Sequence, residues 1–152
     1  MDKRTRVAVA SLTVSAAAVL SVAHFEGFSS KAYRDPVGIP TIGYGETKNV
    51  VMGQTITREA ATVLLGQRVE EHARGMAQCI HVPISQDEFD AYADFTYNVG
   101  IGAFCRSTLA KKLNAGDYAG ACQELLKWVY AGGQVLPGLV TRRKAEFAKC
   151  MG

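Results

Sequence analysis

The sequence predicts an α+β fold in which a small antiparallel sheet near the N-terminus is followed by a larger helical region. Residues 31 to 53, KAYRDPVGIPTIGYGETKNVVMG, are rich in Gly, Pro, Tyr and β-branched residues, the composition of short strands joined by tight turns. From Thr57 onward, apolar residues recur at helical spacing between helix start and stop signals. The 152 residues, 48% hydrophobic with four prolines and no internal repeat, suit one compact core with an N-terminal appendage.

The appendage comes first. Residues 7 to 25, VAVASLTVSAAAVLSVAHF, carry no charge and follow a basic start in which Lys3, Arg4 and Arg6 stand against Asp2. As one helix the segment would be about 28 Å long at about 1.5 Å per residue, close to the thickness of a hydrocarbon core. Its positive flank would remain on the cytoplasmic side. Six alanines, three serines, a threonine and a histidine dilute its valines and leucines, so such a helix can insert yet gains little by staying. Four fates are open: a cleaved signal peptide, with Ala16-Ala17-Ala18 or Ser21-Val22-Ala23 as cleavage region; a permanent anchor; an anchor that leaves the bilayer and joins the soluble fold; or a buried helix of a cytosolic domain. The weak hydrophobicity favours the third.

A helix end is expected around Ala23 to Ser30, then the sheet, with turns at Asp35-Pro36 and Gly43 to Gly45. Thr57 can cap a helix from Arg58 to about Cys79, with Ala61, Leu64, Leu65, Val69 and His72 near one face. Ser85-Gln86-Asp87-Glu88 forms a capping box that starts a helix carrying Phe89, Tyr92, Ala93 and Phe95, ending at Asn98 to Gly102. Helices are expected over Ser107 to Asn114, Asp117 to about Tyr130, and Leu139 to Lys149 after Pro137-Gly138.

Residues 26 to 152 hold 14 basic and 13 acidic side chains, so the body gives no electrostatic argument for nucleic acid as a partner. Cys79, Cys105, Cys122 and Cys150 form no CxxC pair and have no zinc-type spacing with His24, His72 and His81, so no metal is expected. An even cysteine count beside an export segment favours disulfides. Three connectivities are possible; Cys79 with Cys105 and Cys122 with Cys150 is preferred because each clips adjacent helices through a loop of about 26 to 28 residues.

Chemistry concentrates just after the apolar segment. Glu26 lies among Phe25, Gly27 and Phe28 at a helix end, where lost hydration favours the protonated form of a general acid. Asp35, before a proline in a polar turn, suits an ionised base, and Thr41 on the following strand could hold a water against it. Singly, each is more often a solvated end, a turn and a structural threonine. Together, as Glu-x8-Asp-x5-Thr within HFEGFSSKAYRDPVGIPTIGYGET, they resemble the catalytic signature of the phage lysozymes, the muramidases related to the enzyme of bacteriophage T4, and more closely those of lambdoid and P22-like phages. The resemblance continues in FTYNVGIGAFCRSTLAKKLNAGDYAGAC, KWVYAGG and GLVTRRKAEFAKC, and departs at Gly45-Glu46, where many relatives have Gly-His.

The resemblance implies a lysozyme-like fold with the active-site cleft between a small sheet lobe and a helical lobe. It implies hydrolysis of the β-1,4 bond between N-acetylmuramic acid and N-acetylglucosamine in peptidoglycan by a monomer without a cofactor. Glu26 would protonate the leaving oxygen while Asp35 and Thr41 activate a water. A lytic transglycosylase would need no such water-activating pair. Asn98 becomes a candidate for binding sugar amides, Arg142 and Arg143 candidates for pairing with Glu26, and Trp128 fits the core better than a sugar platform. Some lambdoid relatives also carry signal-anchor-release segments; by that likeness residues 1–25 tether the enzyme to the inner membrane facing the periplasm, and residues 26–152 form the catalytic domain that is later freed into the periplasm.

Overall fold

A computed structural model of the chain describes residues 4–152; Asp2 and Lys3 of the basic start lie outside the described residues. Two compact units form, one from Ala16–Arg68 and one from the residues up to Ser15 together with Val69–Gly152.

In the Ala16–Arg68 unit, helix α1 (Ala16–Glu26) buries Ala18, Val22 and Ala23 along one face and leaves Leu20 exposed. It stops at Gly27, whose φ of +74° no L side chain adopts cheaply. Strands β1 (Ser29–Arg34) and β2 (Pro40–Gly43) pair antiparallel with Tyr33 opposite Thr41 and Arg34 opposite Pro40, the hairpin expected from the Gly/Pro-rich run. Helix α2 (Arg58–Ala77) starts as predicted, with the Thr57 hydroxyl accepting from the Ala60 amide at 3.1 Å. Gly43 has φ +65°, and a Cβ there would stand 3.0 Å from that of Ala61, so the glycine lets β2 and α2 meet closely. Ile42, Tyr44, Ala61 and Leu65 are buried in this unit.

The larger unit is helical: the end of α2, then α3 (Gln86–Val99), α4 (Ile101–Arg106), α5 (Thr108–Asn114), α6 (Tyr118–Glu124) and α7 (Pro137–Met151). The capping box forms as read, with the Glu88 amide 3.1 Å from the Ser85 hydroxyl and the Ser85 amide 2.8 Å from the Glu88 carboxylate. Phe89, Tyr92, Phe95, Phe104, Leu109, Leu113 and Leu125 are fully buried, and Phe95 meets the rings of Phe104 at 6.4 Å and Trp128 at 5.2 Å. Both preferred disulfides are present, Cys79–Cys105 and Cys122–Cys150, with Cα separations of 5.5 and 5.7 Å.

Three expectations need revision. The helix placed over Asp117 to Tyr130 ends at Glu124, continues as a 3₁₀ turn over Leu125–Lys127, and gives way to a ribbon of β3 (Tyr130–Ala131) and β4 (Gln134–Val135). Gly132 and Gly133, with φ of +58° and +77°, supply the two positive φ angles of a hairpin turn, and flanking Tyr and Val suit strands better than a helix. The short α4 begins inside the run Asn98 to Gly102, expected only to end the preceding helix. Helix α7 starts earlier than expected, at Pro137, whose fixed φ and missing amide suit the first helical position.

Residues 7–25 are not one helix. Val7 bridges Ile84 through two 2.9 Å backbone hydrogen bonds, Val9–Ser11 make one 3₁₀ turn, and regular helix begins only at Ala16. In between, side chains of α2 and α3 take over the backbone's hydrogen bonding: Arg74 donates to the Leu12 carbonyl, Gln86 to that of Thr13 at 2.8 Å, and Glu70 and Asp90 accept from the Val14 and Ser15 amides at 2.9 and 3.0 Å. No helix among the described residues is long and apolar enough to cross a membrane.

Candidate active site

Glu26, Asp35 and Thr41 all belong to the Ala16–Arg68 unit. Glu26 is the last residue of α1 and is half-buried. Beyond the Gly27 stop, Phe28 packs on Tyr44 with ring centres 5.3 Å apart and lies under the Arg58 guanidinium at 4.4 Å, an apolar floor that fixes the chain's exit from the helix.

Asp35 follows β1 directly and organises the turn. Its Oδ1 accepts from the amides of Val37 at 3.0 Å and Ile39 at 2.8 Å, while its own amide donates to the Ile39 carbonyl at 3.0 Å. This is the Asx-type turn that an Asp-Pro pair favours. Thr41 is 4% exposed, and its hydroxyl donates to the same Ile39 carbonyl at 2.9 Å. One residue, Ile39, therefore ties the carboxylate and the hydroxyl into a fixed set through its amide and its carbonyl. Two amide donors fix the position of Oδ1 in the turn. Thr41 has spent its only proton, so towards anything else it acts as an acceptor.

Glu46, the departure from the usual Gly-His, has a defined job. Its backbone exchanges two 2.9 Å hydrogen bonds with Ile42, and its carboxylate accepts from Arg68 and from the Lys48 amide, each at 2.9 Å. Sequence reading did not foresee that the residue after Thr41 is held to α2 in this way; an acidic residue beyond a Tyr-Gly turn was the available signal.

Asn98, Arg142 and Arg143 lie in the other unit, where they form a network. Arg142 pairs with Asp94 at 2.7 Å and with Glu146 at 3.5 Å; Arg143, fully buried, pairs with Glu146 at 2.6 Å and donates to the Trp128 carbonyl at 3.1 Å and to the Asn98 side-chain oxygen. Burial, and then the charge of Asp94, push the Glu146 carboxyl upward against the pull of the two arginines, and burial pulls the Arg143 guanidinium down. Asp94 and Glu146 were not singled out from the sequence, although Glu146 stands three and four residues beyond the two arginines on one helix. Trp128 is half-buried and edge-on to Phe95, in keeping with a core role.

A helix-end carboxyl, an amide-held carboxylate and an acceptor threonine thus lie in one unit of this α+β fold. The chain belongs to the phage lysozyme family, whose model matches residues 23–146. It is 39% identical to an endolysin of Acyrthosiphon pisum secondary endosymbiont phage 1 over 89% of this chain and 95% of that protein. It is 42% identical to an SAR-endolysin of bacteriophage PS119 over 83% of this chain and 76% of that protein. Its fold matches a crystal structure of a P22 lysozyme mutant with a TM-score of 0.86 at 32% identity, covering 93% and 99% of the two chains, so the fold is lysozyme-like and the protein is a lysozyme-type enzyme.

Proposed function

We propose that this enzyme hydrolyses the β-1,4 bond between N-acetylmuramic acid and N-acetylglucosamine in peptidoglycan by inversion, with Glu26 as general acid and Asp35 with Thr41 as the water-activating pair. The observation that carries this reading is the hydrogen bonding of Asp35 and Thr41 to the backbone of Ile39. A water that donates one proton to Asp35 Oδ2 and the other to Thr41 Oγ1 keeps its lone pair for the anomeric carbon. As the water's oxygen bonds to that carbon, its proton passes to Asp35, the glycosidic C–O bond breaks, and the leaving oxygen takes the proton of Glu26. Room for a water between acid and base corresponds to carboxyls roughly 6.5 to 9.5 Å apart, the inverting arrangement. The exposed Asn98, its oxygen taken by Arg143, has its amide nitrogen to offer an N-acetyl carbonyl. Arg143 supports it, and Arg142 is held in the same network through Glu146.

The N-terminal segment supplies control. While residues 7 to 25 span the inner membrane, Glu26 is held at the bilayer surface away from its partners; after release into the periplasm, the same residues fold as described above. The SAR-endolysin relatives and the diluted composition of the segment support this.

Turbidity clearing of outer-membrane-stripped Gram-negative cells tests the chemistry: Glu26→Gln should lose clearing by at least about a hundredfold while keeping the wild-type unfolding temperature. Equal clearing by both proteins would remove Glu26 from the acid role, and anhydro-sugar ends among the products would assign the transglycosylase reaction instead. Fractionation with and without a membrane uncoupler tests the control; full-length enzyme that is active and soluble before uncoupling would end the tethering idea.

A further inference from the structure

Glu88 is fully buried at the start of α3, and among the described residues its basic partners come from the beginning of the chain. Arg6 holds it with two nitrogens at 3.0 and 2.7 Å, and Arg4 approaches to 3.3 Å. The Arg6 guanidinium also lies 3.7 Å over the Tyr118 ring, and Arg4 donates to the Cys150 carbonyl. Two residues along α3, Asp90 accepts from both the amide and the hydroxyl of Ser15, at 3.0 and 2.6 Å. Ser15 leads directly into α1, and α1 ends at Glu26.

We propose that Glu88 and Asp90 are the receptor for the chain's own N-terminal arm, and that capture of Arg4 and Arg6 by Glu88 is the step that turns the released protein into the active enzyme. The proposal rests on the tether-and-release reading. Under it the two arginines have successive duties. Before release they stay on the cytoplasmic side and set the orientation of the segment. During that time Glu88 has neither of them. A carboxylate shaped for burial but lacking its counterions is costly, so the vacant receptor favours capture once the arm arrives. Ser15, gripped by Asp90, then fixes where α1 begins. Specificity comes from the combination: Glu88 reads guanidinium charge, while Glu70, Gln86 and Asp90 read main-chain amides and a carbonyl that a membrane-spanning helix would have kept for itself.

The test uses the full chain, expressed in cells and recovered after uncoupling, with hydrogen exchange of the Val7, Val14 and Ser15 amides measured beside muralytic activity per molecule. Glu88→Gln removes the charge but keeps an acceptor for the Ser85 amide. It should reach the membrane and be released like wild type, while protection of those amides falls by about tenfold or more and activity falls in parallel. Arg4→Lys with Arg6→Lys, which keeps the positive flank that sets orientation but loses the two-nitrogen guanidinium grip on Glu88, should lower protection and activity in the same direction and decides the matter if Glu88→Gln fails to fold. Wild-type protection and activity in these variants would overturn the receptor; lost protection with full activity would overturn its part in activation. Should wild type prove soluble before uncoupling, the tether reading fails, and the exchange comparison still decides whether Glu88 holds the arm.

Discussion

Thr41→Val separates the structural from the chemical duty of this side chain. The substitution conserves shape and replaces the hydroxyl of a residue 4% exposed with a methyl group. In the folded protein the Ile39 carbonyl then loses one donor at 2.9 Å but keeps the Asp35 amide at 3.0 Å, so no buried acceptor is left without a partner. The stability cost is that of one neutral hydrogen bond, about 1 kcal/mol, or a fall in unfolding temperature of about 2–4 °C for a chain of this size. Chemistry suffers more, because the valine offers no acceptor for the second proton of the water. Loss of water activation of this kind is worth about a hundredfold, or about 2.7 kcal/mol of barrier. The assay is hydrolysis of soluble peptidoglycan fragments over a range of concentrations, with thermal unfolding of the same preparations. The expected result is a fall in kcat of about a hundredfold with KM within about twofold. Thr41→Ser, which keeps the hydroxyl, should retain most of the activity. A valine variant within about threefold of wild type, or a serine variant as damaged as the valine one, would refute the role given to the oxygen.

Two further outcomes follow from the larger unit. Each disulfide closes a loop, of 26 and 28 residues in sequence separation, so reduction of either should cost about 3.5 kcal/mol and about 7–14 °C in unfolding temperature; calorimetry with and without a reductant reads this directly, and unchanged melting of fully reduced protein would contradict it. The carboxylate of Glu124 is held below its usual range by hydrogen bonds from Lys112 at 2.6 Å and Lys127 at 2.8 Å. Because its folded value is depressed, its stabilisation is present above the unfolded value near about 4.3 and is lost as pH falls through the folded one. The urea-midpoint gap between wild type and Glu124→Gln should therefore be widest near neutral pH and close on acidification, and a gap that widens in acid would reverse the assignment.

What was legible in the sequence was what is decided locally. The capping box of α3 and the turn at Asp35 depend on residues within a few positions of each other, and both stand where the spacing put them. The disulfide partners close short loops, with sequence separations of 26 and 28. The ribbon after Trp128 was hidden because its helical-looking run is overruled by two glycines at positive φ. The fate of residues 7–25 was open for a different reason. Whether their amides bond to one another or to Glu70 and Asp90 is settled by side chains 56 and 75 positions away, which no local pattern encodes. The Arg142–Asp94 and Arg143–Glu146 pairs illustrate both cases at once, one partner distant and the other a single helical turn along.

The span of the Arg6–Glu88 pair also sets a clock on synthesis. The two residues are 82 positions apart, and Arg4 bonds to a carbonyl 146 positions further on. At about 5 to 20 residues per second, a ribosome needs roughly 4 to 16 s after making Arg6 to make Glu88, and longer still to reach Cys150. During that interval the first residues emerge with nothing in their own chain to bind. Distant pairing thus keeps the nascent arm available to any machinery that meets it first, and makes its closure one of the last events of folding.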